Sequence, residues 1–154
     1  SGEGIAKHQL LINGEGILPK TEQNVPDGSV KPVENTPFDL RELRFLEQPL
    51  AQLEGGFDHN YVLEKYSKEV PAAVLAAPSG TPKMEFYCTQ PGIQFYSANG
   101  IEKVENKTGT IQGPSPALCL EPQFFPDTPN HPNFPSTVLK PGEQYKHTIT
   151  YKFL

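Results

Sequence analysis

Three polar side chains could take part in binding or proton transfer: Asp58, Gln94 and Glu121. They lie in or beside segments whose pattern is typical of buried strands. Glu121 follows the apolar run 117–120 and precedes Pro122, which places a carboxylate at a predicted strand end. Partial burial there would raise the basicity of the carboxylate, and a basic carboxylate suits proton abstraction. A glutamate at a strand end is more commonly a solvated surface group, so both interpretations stay open from the residue alone.

Asp58 follows Gly55 and Gly56, and it is either an ordinary turn residue or a ligand acceptor. A carboxylate can accept hydrogen bonds from two donors at once, one or more on each oxygen. His59 is the next residue, and adjacent strand residues point to opposite faces of a sheet. If Asp58 faces a ligand, His59 is therefore expected to pack behind it.

Gln94 alternates with Ile93 and Phe95, so its amide is expected on the face opposite to these apolar side chains. That position suits a residue of a binding site, and it equally suits an ordinary outward-facing polar residue. The remaining histidines have no charged partner at a suggestive spacing and are interpreted as structural or surface residues: His8, His131 and His147.

Several other kinds of site have no support in the sequence. His, Asp and Glu residues are scattered, without an H-x-x-x-H or repeated D-x-D pattern, so no metal site is predicted. Neither a glycine-rich phosphate loop nor a G-x-S-x-G nucleophile motif is present. Cys88 and Cys119 are predicted to be reduced, buried thiols on strands, with a single bridge between neighbouring strands as the alternative.

Charge and hydropathy exclude two classes of partner. The net charge is −5 and no cluster of Lys or Arg exists, so binding to nucleic acid is not expected. No apolar run approaches the length that crosses a bilayer, so no membrane association is expected. Residues 1–4 lack the basic start and apolar core of a signal peptide. This favours the cytoplasm, with secretion as the alternative if a signal has been removed.

The composition predicts short strands joined by turns, because 17 Pro and 13 Gly accompany nine Phe and six Tyr. Period-2 alternation predicts antiparallel strands over residues 7–13, 57–64, 72–77, 83–89, 93–96, 117–121 and 145–154. A short helix is predicted over residues 38–45 and an exposed loop over residues 100–116. The proline-rich segment 125–135 is expected to be irregular, with its aromatic residues serving to pack it.

Five segments together resemble the aldose 1-epimerase family. They are residues 24–41 with NVPDG and TPFDLR, 56–61 with GFDHNY, 89–96 with TQPGIQFY, 119–135 with CLEPQ, FPD and PNFP, and 139–145 with LKPGEQY. They follow the family order and cover essentially the whole chain. Any one segment is weak evidence, whereas the ordered set is specific.

The resemblance implies an all-β fold, the antiparallel β-sandwich (supersandwich) of the galactose mutarotase-like type. It also implies interconversion of the α and β anomers of a free hexose such as galactose or glucose, without a cofactor. It assigns the catalytic base to Glu121 and the binding of sugar hydroxyls to Asp58 and Gln94. Pro122 departs from the family pattern, because many members have Thr there, although Pro is tolerated elsewhere in the superfamily.

A second departure concerns the general acid. In the family, a His-x-Tyr-Phe-Asn-Leu motif that carries the acid His precedes the segment that residues 1–4 resemble, and this sequence does not contain it. The resemblance therefore implies that residues 1–154 are about half of one domain, its C-terminal half. It implies that an N-terminal half, as a separate or cleaved chain, supplies the acid, and that the chain is inactive without it.

Two other functions remain as alternatives. A non-catalytic carbohydrate-binding protein on the same fold would keep Asp58 and Gln94 but would need no acid His. A structural or storage role for a proteolytic fragment would predict no sugar affinity at all.

Overall fold

The computed structural model describes residues 3–105, 107–113 and 115–154, which fold into antiparallel sheets with very little helix. The strands of the described residues are β1 Gln9–Ile12, β2 Gly14–Ile17, β3 Lys31–Pro32, β4 Arg44–Phe45, β5 Asp58–Leu63, β6 Ala73–Ala76, β7 Lys83–Cys88, β8 Gly92–Tyr96, β9 Val104–Glu105, β10 Ile111–Gln112, β11 Cys119–Gln123 and β12 Ile149–Phe153. Helix α1 spans Glu47–Gln52, and single 3₁₀ turns span Ile5–Lys7 and Thr128–Asn130. The predicted nearly all-β, antiparallel architecture is confirmed.

Two five-stranded sheets make up the body of the molecule. Sheet 1 has the strand order β12-β7-β6-β1-β4, and sheet 2 has the order β11-β8-β5-β2-β3. Strands β9 and β10 form a separate two-stranded hairpin. Each of the two large sheets therefore ends on one side at a strand from the C-terminal third of the chain, β12 or β11.

The main hydrophobic core is built from side chains of both sheets. Phe86 and Leu10 of sheet 1 belong to the same buried cluster as Tyr61, Ile93 and Phe95 of sheet 2. Because strand side chains alternate between faces, each strand contributes one apolar face to this layer and turns its other face outward. The outward face of sheet 2 is where the polar candidate residues lie.

A second, smaller cluster packs the proline-rich segment, as the sequence predicted. Phe125 and Phe134 are buried against Leu18, and their rings meet edge to face with centroids 5.2 Å apart. His131 also lies against Phe134, with ring centroids 4.8 Å apart. These aromatic side chains therefore anchor the proline-rich segment, which has little regular secondary structure, to the rest of the fold.

Strand β12 leaves an apolar face uncovered. Ile149, Tyr151 and Phe153 pair in register with Cys88, Phe86 and Met84 of β7, so they continue the core-facing side of sheet 1. They are nevertheless exposed, and Phe153 has 71% of its surface accessible. Within the described residues, the sandwich is thus closed over β7 but open over β12.

The predicted helix over residues 38–45 is wrong. Its backbone is held by tertiary hydrogen bonds, because Ile12 N–H donates to Leu40 C=O and residues Arg44–Phe45 pair with β1 as β4. The Asp39 carboxylate also accepts from the Arg41 backbone and guanidinium, which favours a turn. The only α-helix of the described residues is α1, which begins at Glu47, after this turn.

Two further predictions need partial correction. The segment 100–116 contains the short β9–β10 hairpin and is not loop throughout; its residues 106 and 114 lie outside the described residues. Both cysteines are free and on strands, as expected, but only Cys88 is buried. Cys119 is exposed because β11 is the edge strand of sheet 2 and pairs only with β8 among the described residues.

Candidate active site

The strand register of sheet 2 brings Asp58, Gln94 and Glu121 together. On β8, Gln94 lies directly opposite Glu121 of β11 on one side and Asn60 of β5 on the other. Asp58 lies opposite Tyr96, one alternation further along the same face. Directly opposed residues share a face with Cβ atoms roughly 4.5–5.5 Å apart. The three predicted site residues therefore belong to one polar patch on the outer face of sheet 2.

An open cavity lies on this patch. It has a volume of about 430 Å³ and is lined by Asp58, Gln94, Tyr96, Glu121, Gln123 and Pro126. A smaller cavity of about 80 Å³ adjoins it, with Asp58, Gln94 and Pro126 in both linings and Lys20 and Asn60 among its other walls. The larger cavity is within the size range of small-molecule sites.

Asp58 is the most constrained of the three side chains. Lys20 Nζ donates to Asp58 Oδ2 at 2.8 Å, and Gln94 Nε2 donates to Asp58 Oδ1 at 2.8 Å. Burial raises the pKa of Asp58, but the hydrogen bonds from Lys20 and Gln94 and the charge of Lys20 outweigh it, so the pKa lies below its usual value. Asp58 is therefore an ionised acceptor at neutral pH.

Glu121 differs from the expectation of a partly desolvated carboxylate, because it is exposed. The physical reason is its position on the edge strand β11, which only β8 flanks among the described residues. In this chain the carboxylate faces an open cavity and keeps its solvation. Covering this edge would be needed to desolvate it.

His59 packs behind Asp58, as strand alternation predicts. Its ring lies 4.6 Å from that of Phe38 and 6.5 Å from that of Phe57, measured between centroids. Burial, with the nearby charge of Lys20, lowers the pKa of His59 to about 4. The imidazole is therefore neutral at pH 7, and its Nδ1 accepts the backbone N–H of Asp58.

Two glycines allow the strands that carry the site to approach closely. Gly56 has a φ of +70°, and a Cβ there would stand 2.6 Å from Ser97 Oγ, the group that accepts the Phe57 N–H at the start of β5. Gly92 begins β8, and a Cβ there would stand 2.8 Å from the side-chain amide of Asn60. Both glycines of the GFDHNY and TQPGIQFY segments thus serve the positioning of Asp58 and Gln94.

Sequence reasoning missed four polar residues of the patch. Asn60, Tyr96 and Gln123 each lie two residues after a predicted site residue, so strand alternation could have found them. Asn60 is buried, and its side-chain oxygen accepts from Gln123 Nε2 at 3.2 Å. Lys20 gave no comparable signal, because it comes from the turn-rich segment after β2 and reaches Asp58 only through the fold.

The interpretation of one histidine changes. His131 Nε2 lies 3.2 Å from Asp127 Oδ2, which forms an ion pair when the imidazole is protonated, although the angle does not make a hydrogen bond. A charged partner is thus present at a spacing of four residues, contrary to the expectation for this histidine. The pair lies beside Pro126 on the loop that follows β11, and its side chains do not line either cavity.

Neither a metal-binding cluster nor a membrane-spanning helix is found in the described part of the chain. Over residues 3–105, 107–113 and 115–154, no group of three or more His, Cys, Asp or Glu side chains is arranged to hold a metal ion. No helix in the same ranges has the length and apolar character needed to span a membrane.

A family model described as aldose 1-epimerase matches residues 1–152 of this chain. The chain is 41% identical to the galactose mutarotase of Mus musculus and covers 46% of that protein, with 99% of this chain aligned. It is 40% identical to the galactose mutarotase of Homo sapiens and covers 44% of it, with 97% of this chain aligned. The chain therefore spans less than half the length of these curated relatives.

A solved structure is also matched over less than half of its own length. The crystal structure of an aldose epimerase homologue from C. elegans superposes with a TM-score of 0.88 over 100% of this chain and 48% of that chain, at 24% identity. At this identity the likeness establishes the fold alone. It confirms the predicted type of β-sandwich, and this chain covers about half of the solved chain.

Proposed function

The chain belongs to the aldose 1-epimerase family, and on this premise we propose that it provides the base and the hydroxyl-binding side of an aldose 1-epimerase active site. The substrate is a free hexose such as galactose or glucose, and the reaction interconverts its α and β anomers. The observation that carries the proposal is the strand register, in which Glu121 is directly opposite Gln94 and Gln94 is bonded to Asp58.

The arrangement divides the work between binding and proton transfer. Asp58 is held ionised with one donor on each oxygen, and each oxygen keeps acceptor capacity for a sugar hydroxyl. Glu121 stands on the neighbouring side of Gln94, facing the same cavity. A sugar whose hydroxyls are bound at Asp58 and Gln94 would thus present another part of its ring to Glu121.

The reaction is acid–base chemistry and requires no cofactor. The Glu121 carboxylate takes the proton of the anomeric hydroxyl while an acid donates a proton to the ring oxygen. The bond between C1 and the ring oxygen breaks, its electron pair goes to that oxygen, and C1 becomes a carbonyl carbon. Rotation about C1–C2 presents the other carbonyl face, and closure follows with the roles of acid and base exchanged.

The acid is not among the residues that line the cavity of this chain, where Asp58, Gln94, Tyr96, Glu121 and Gln123 provide the polar groups. We assign it to a His of an N-terminal half, as the family resemblance implies. The open cavity and the exposure of Glu121 support this assignment, because an inserted second half would cover both. The complete enzyme is then this chain together with such a half, joined to it or added as a second polypeptide.

A non-catalytic carbohydrate-binding protein is the alternative. The observation in its favour is that the binding pair Asp58–Gln94 is already formed, whereas Glu121 remains solvated. Turnover separates the two functions, because a binding protein would retain sugar affinity without accelerating mutarotation.

Replacement of Glu121 by Gln tests the proposal. We expect turnover of the complete enzyme to fall by ~10² or more, the usual scale for loss of a general base, with sugar affinity nearly unchanged. Polarimetry of freshly dissolved α-anomer measures the rate, and Glu54→Gln, at an exposed position outside the cavity, is the matched control. Near-normal turnover of the Glu121 variant would remove this residue from the mechanism.

A further inference from the structure

We propose that Lys20 is a positioning residue of the candidate site, which orients the Asp58 carboxylate and keeps it in the ionised form that accepts sugar hydroxyls. This role rests on the proposed function and adds to it a residue that neither the sequence motifs nor the family resemblance assigned. Lys20 lies outside the five segments that carry most of the resemblance and is brought to the site only by folding.

The geometry of the contact carries the proposal. Lys20 Nζ is 2.8 Å from Asp58 Oδ2, while Gln94 Nε2 is 2.8 Å from Asp58 Oδ1. With one donor on each oxygen, rotation of the carboxylate about its terminal torsion is fixed. A fixed carboxylate presents its free lone pairs in one direction, which lowers the entropy lost when vicinal hydroxyls bind.

Burial indicates which way the pair faces. The Lys20 side chain is 24% exposed and the Asp58 side chain is 47% exposed, so the lysine lies deeper than its partner. This is the reverse of an ordinary surface ion pair, since lysine is among the side chains that are least often buried. Lys20 therefore supports the carboxylate from the protein side, and Asp58 is left open to the larger cavity.

The backbone around Lys20 also holds the side chain in place. Lys20 pairs with Pro26 as an isolated antiparallel bridge, and Thr21 N–H donates to Val25 C=O across the same turn. Asn24 closes the turn with a φ of 60°. The turn residues Lys20, Asn24 and Pro26 form one wall of the 80 Å³ cavity, so the ammonium is presented from an ordered loop.

The charges around Asp58 give Lys20 a specific electrostatic role. Among the described residues, the titratable groups around Asp58 are Lys20 from the loop after β2, His59 behind it on the same strand, and Tyr96 and Glu121 in the same cavity lining. His59 is neutral at pH 7 because its pKa is about 4. Of these four groups Lys20 is the cation, so its removal leaves the burial of Asp58, which raises the pKa of the carboxyl, without its main counterweight.

Three variants of the complete enzyme test the role: Lys20→Met, which removes the charge at similar length, Lys20→Arg, which restores it, and the control Lys68→Met at an exposed position off the site. For Lys20→Met we expect the KM for the hexose to rise about tenfold, the scale of a lost interaction with a charged group, and kcat to change by less than about twofold. Lys20→Arg is expected to recover most of the affinity.

The pH profile of KM provides a readout that a merely structural role would not change. In Lys20→Met the pH at which affinity is lost on acidification should move upward, because Asp58 then protonates at higher pH. If Lys20→Met folds poorly, Lys20→Gln, which keeps a polar side chain without the charge, replaces it. An unchanged KM, or a raised KM with the pH profile of the parent enzyme, would overturn the proposal.

The outcomes also separate this inference from the proposed function. If Asp58→Ala weakens binding and Glu121→Gln slows turnover while Lys20→Met behaves like Lys68→Met, only the role of Lys20 is wrong. If Asp58→Ala leaves KM unchanged, the hydroxyl-binding role of Asp58 is wrong, and the inference about Lys20 is wrong with it.

Discussion

Asp58 and His59 are consecutive residues with opposite environments. Asp58 faces the open cavity and is paired with Lys20, whereas His59 packs between Phe38 and Phe57 and is neutral at pH 7. Both residues belong to β5, which begins at Asp58, and consecutive strand residues point to opposite faces of the sheet. A shift of one residue would place the imidazole on the site and the carboxylate in the core, where an unpaired charge is costly.

Replacement of Asp58 by Ala is expected to weaken sugar binding in the complete enzyme. The change removes a charged acceptor, and hydrogen bonds to charged groups contribute roughly 1.5–3 kcal/mol, which corresponds to a KM about 10- to 100-fold higher. Steady-state polarimetry over a range of hexose concentrations measures KM and kcat separately. The KM of Asp58→Asn, which keeps the shape without the charge, should lie between those of the parent enzyme and Asp58→Ala. An unchanged KM in Asp58→Ala with only kcat reduced would contradict the binding role.

The three site residues could be predicted from the sequence, but the residues that hold them in place could be predicted only in part. Asp58, Gln94 and Glu121 were found because strand positions and family motifs coincide, and the register then brings them to one face. Lys20 could not be found in this way, because its contact with Asp58 spans 38 residues and depends on a turn outside any strand. The solvation of Glu121 was also beyond the sequence, since exposure depends on what flanks an edge strand.

Strand β5 shows how one element serves both the site and the core. Its outward residues Asp58 and Asn60 are polar, and its inward residues His59, Tyr61 and Leu63 face the apolar layer. The Tyr61 hydroxyl donates to the Phe38 carbonyl, which ties the turn over residues 38–45 to the core side of β5. That tie helps to explain why the segment forms a turn despite its local helical pattern.

The pH dependence of stability provides a test of this two-sided strand. The folded state holds His59 neutral, with its pKa lowered to about 4 from its ordinary value of 6.5. On acidification the unfolded state binds the proton first, so the stability contributed by a neutral His59 is fully present above pH 6.5 and is lost as the pH falls towards 4. Between these limits the loss should be about 2 kcal/mol, allowing for partial exposure of the ring.

The variant His59→Phe, which suits the contacts with Phe38 and Phe57, should abolish this component. Denaturant unfolding of the parent and variant complete enzymes at several pH values between about 7 and about 4 measures the difference in their free energies of unfolding. As the pH falls, the free energy of unfolding of the variant should rise steadily relative to that of the parent. Parallel curves over this range would show that His59 is not held neutral by the fold.

At the scale of the whole molecule, each of the two five-stranded sheets of the described residues has one edge strand from the C-terminal third of the chain. Sheet 1 ends at β12, whose Ile149, Tyr151 and Phe153 continue the core-facing side but are exposed. Sheet 2 ends at β11, which carries the exposed Glu121. The alternation of apolar residues in β12 was readable from the sequence, but its exposure was not, because a sequence pattern does not say what covers a face.

These two open edges favour a partner of a specific kind. The uncovered face of β12 is apolar, the uncovered edge of β11 borders the candidate site, and the chain spans 46% of the length of the mouse relative. An N-terminal half that added strands beside both edges would bury the apolar face of β12 and complete the candidate site beside β11. Unpaired strand edges otherwise recruit other chains, and an exposed apolar face of this kind favours association.

The open edges of β11 and β12 should govern how the chain associates in solution. We expect it to form a 1:1 complex with an N-terminal half that buries more than the ~2,000 Å² typical of obligate interfaces, and to self-associate when that half is absent. Size-exclusion chromatography with multi-angle light scattering measures the mass of each species. Phe153→Lys, which places a charge on the open face, should reduce self-association and also weaken the complex, whereas Lys68→Met at an exposed position should do neither. A stable 17.0 kDa monomer with full mutarotase activity would contradict both the half-domain interpretation and the assignment of the acid to another segment.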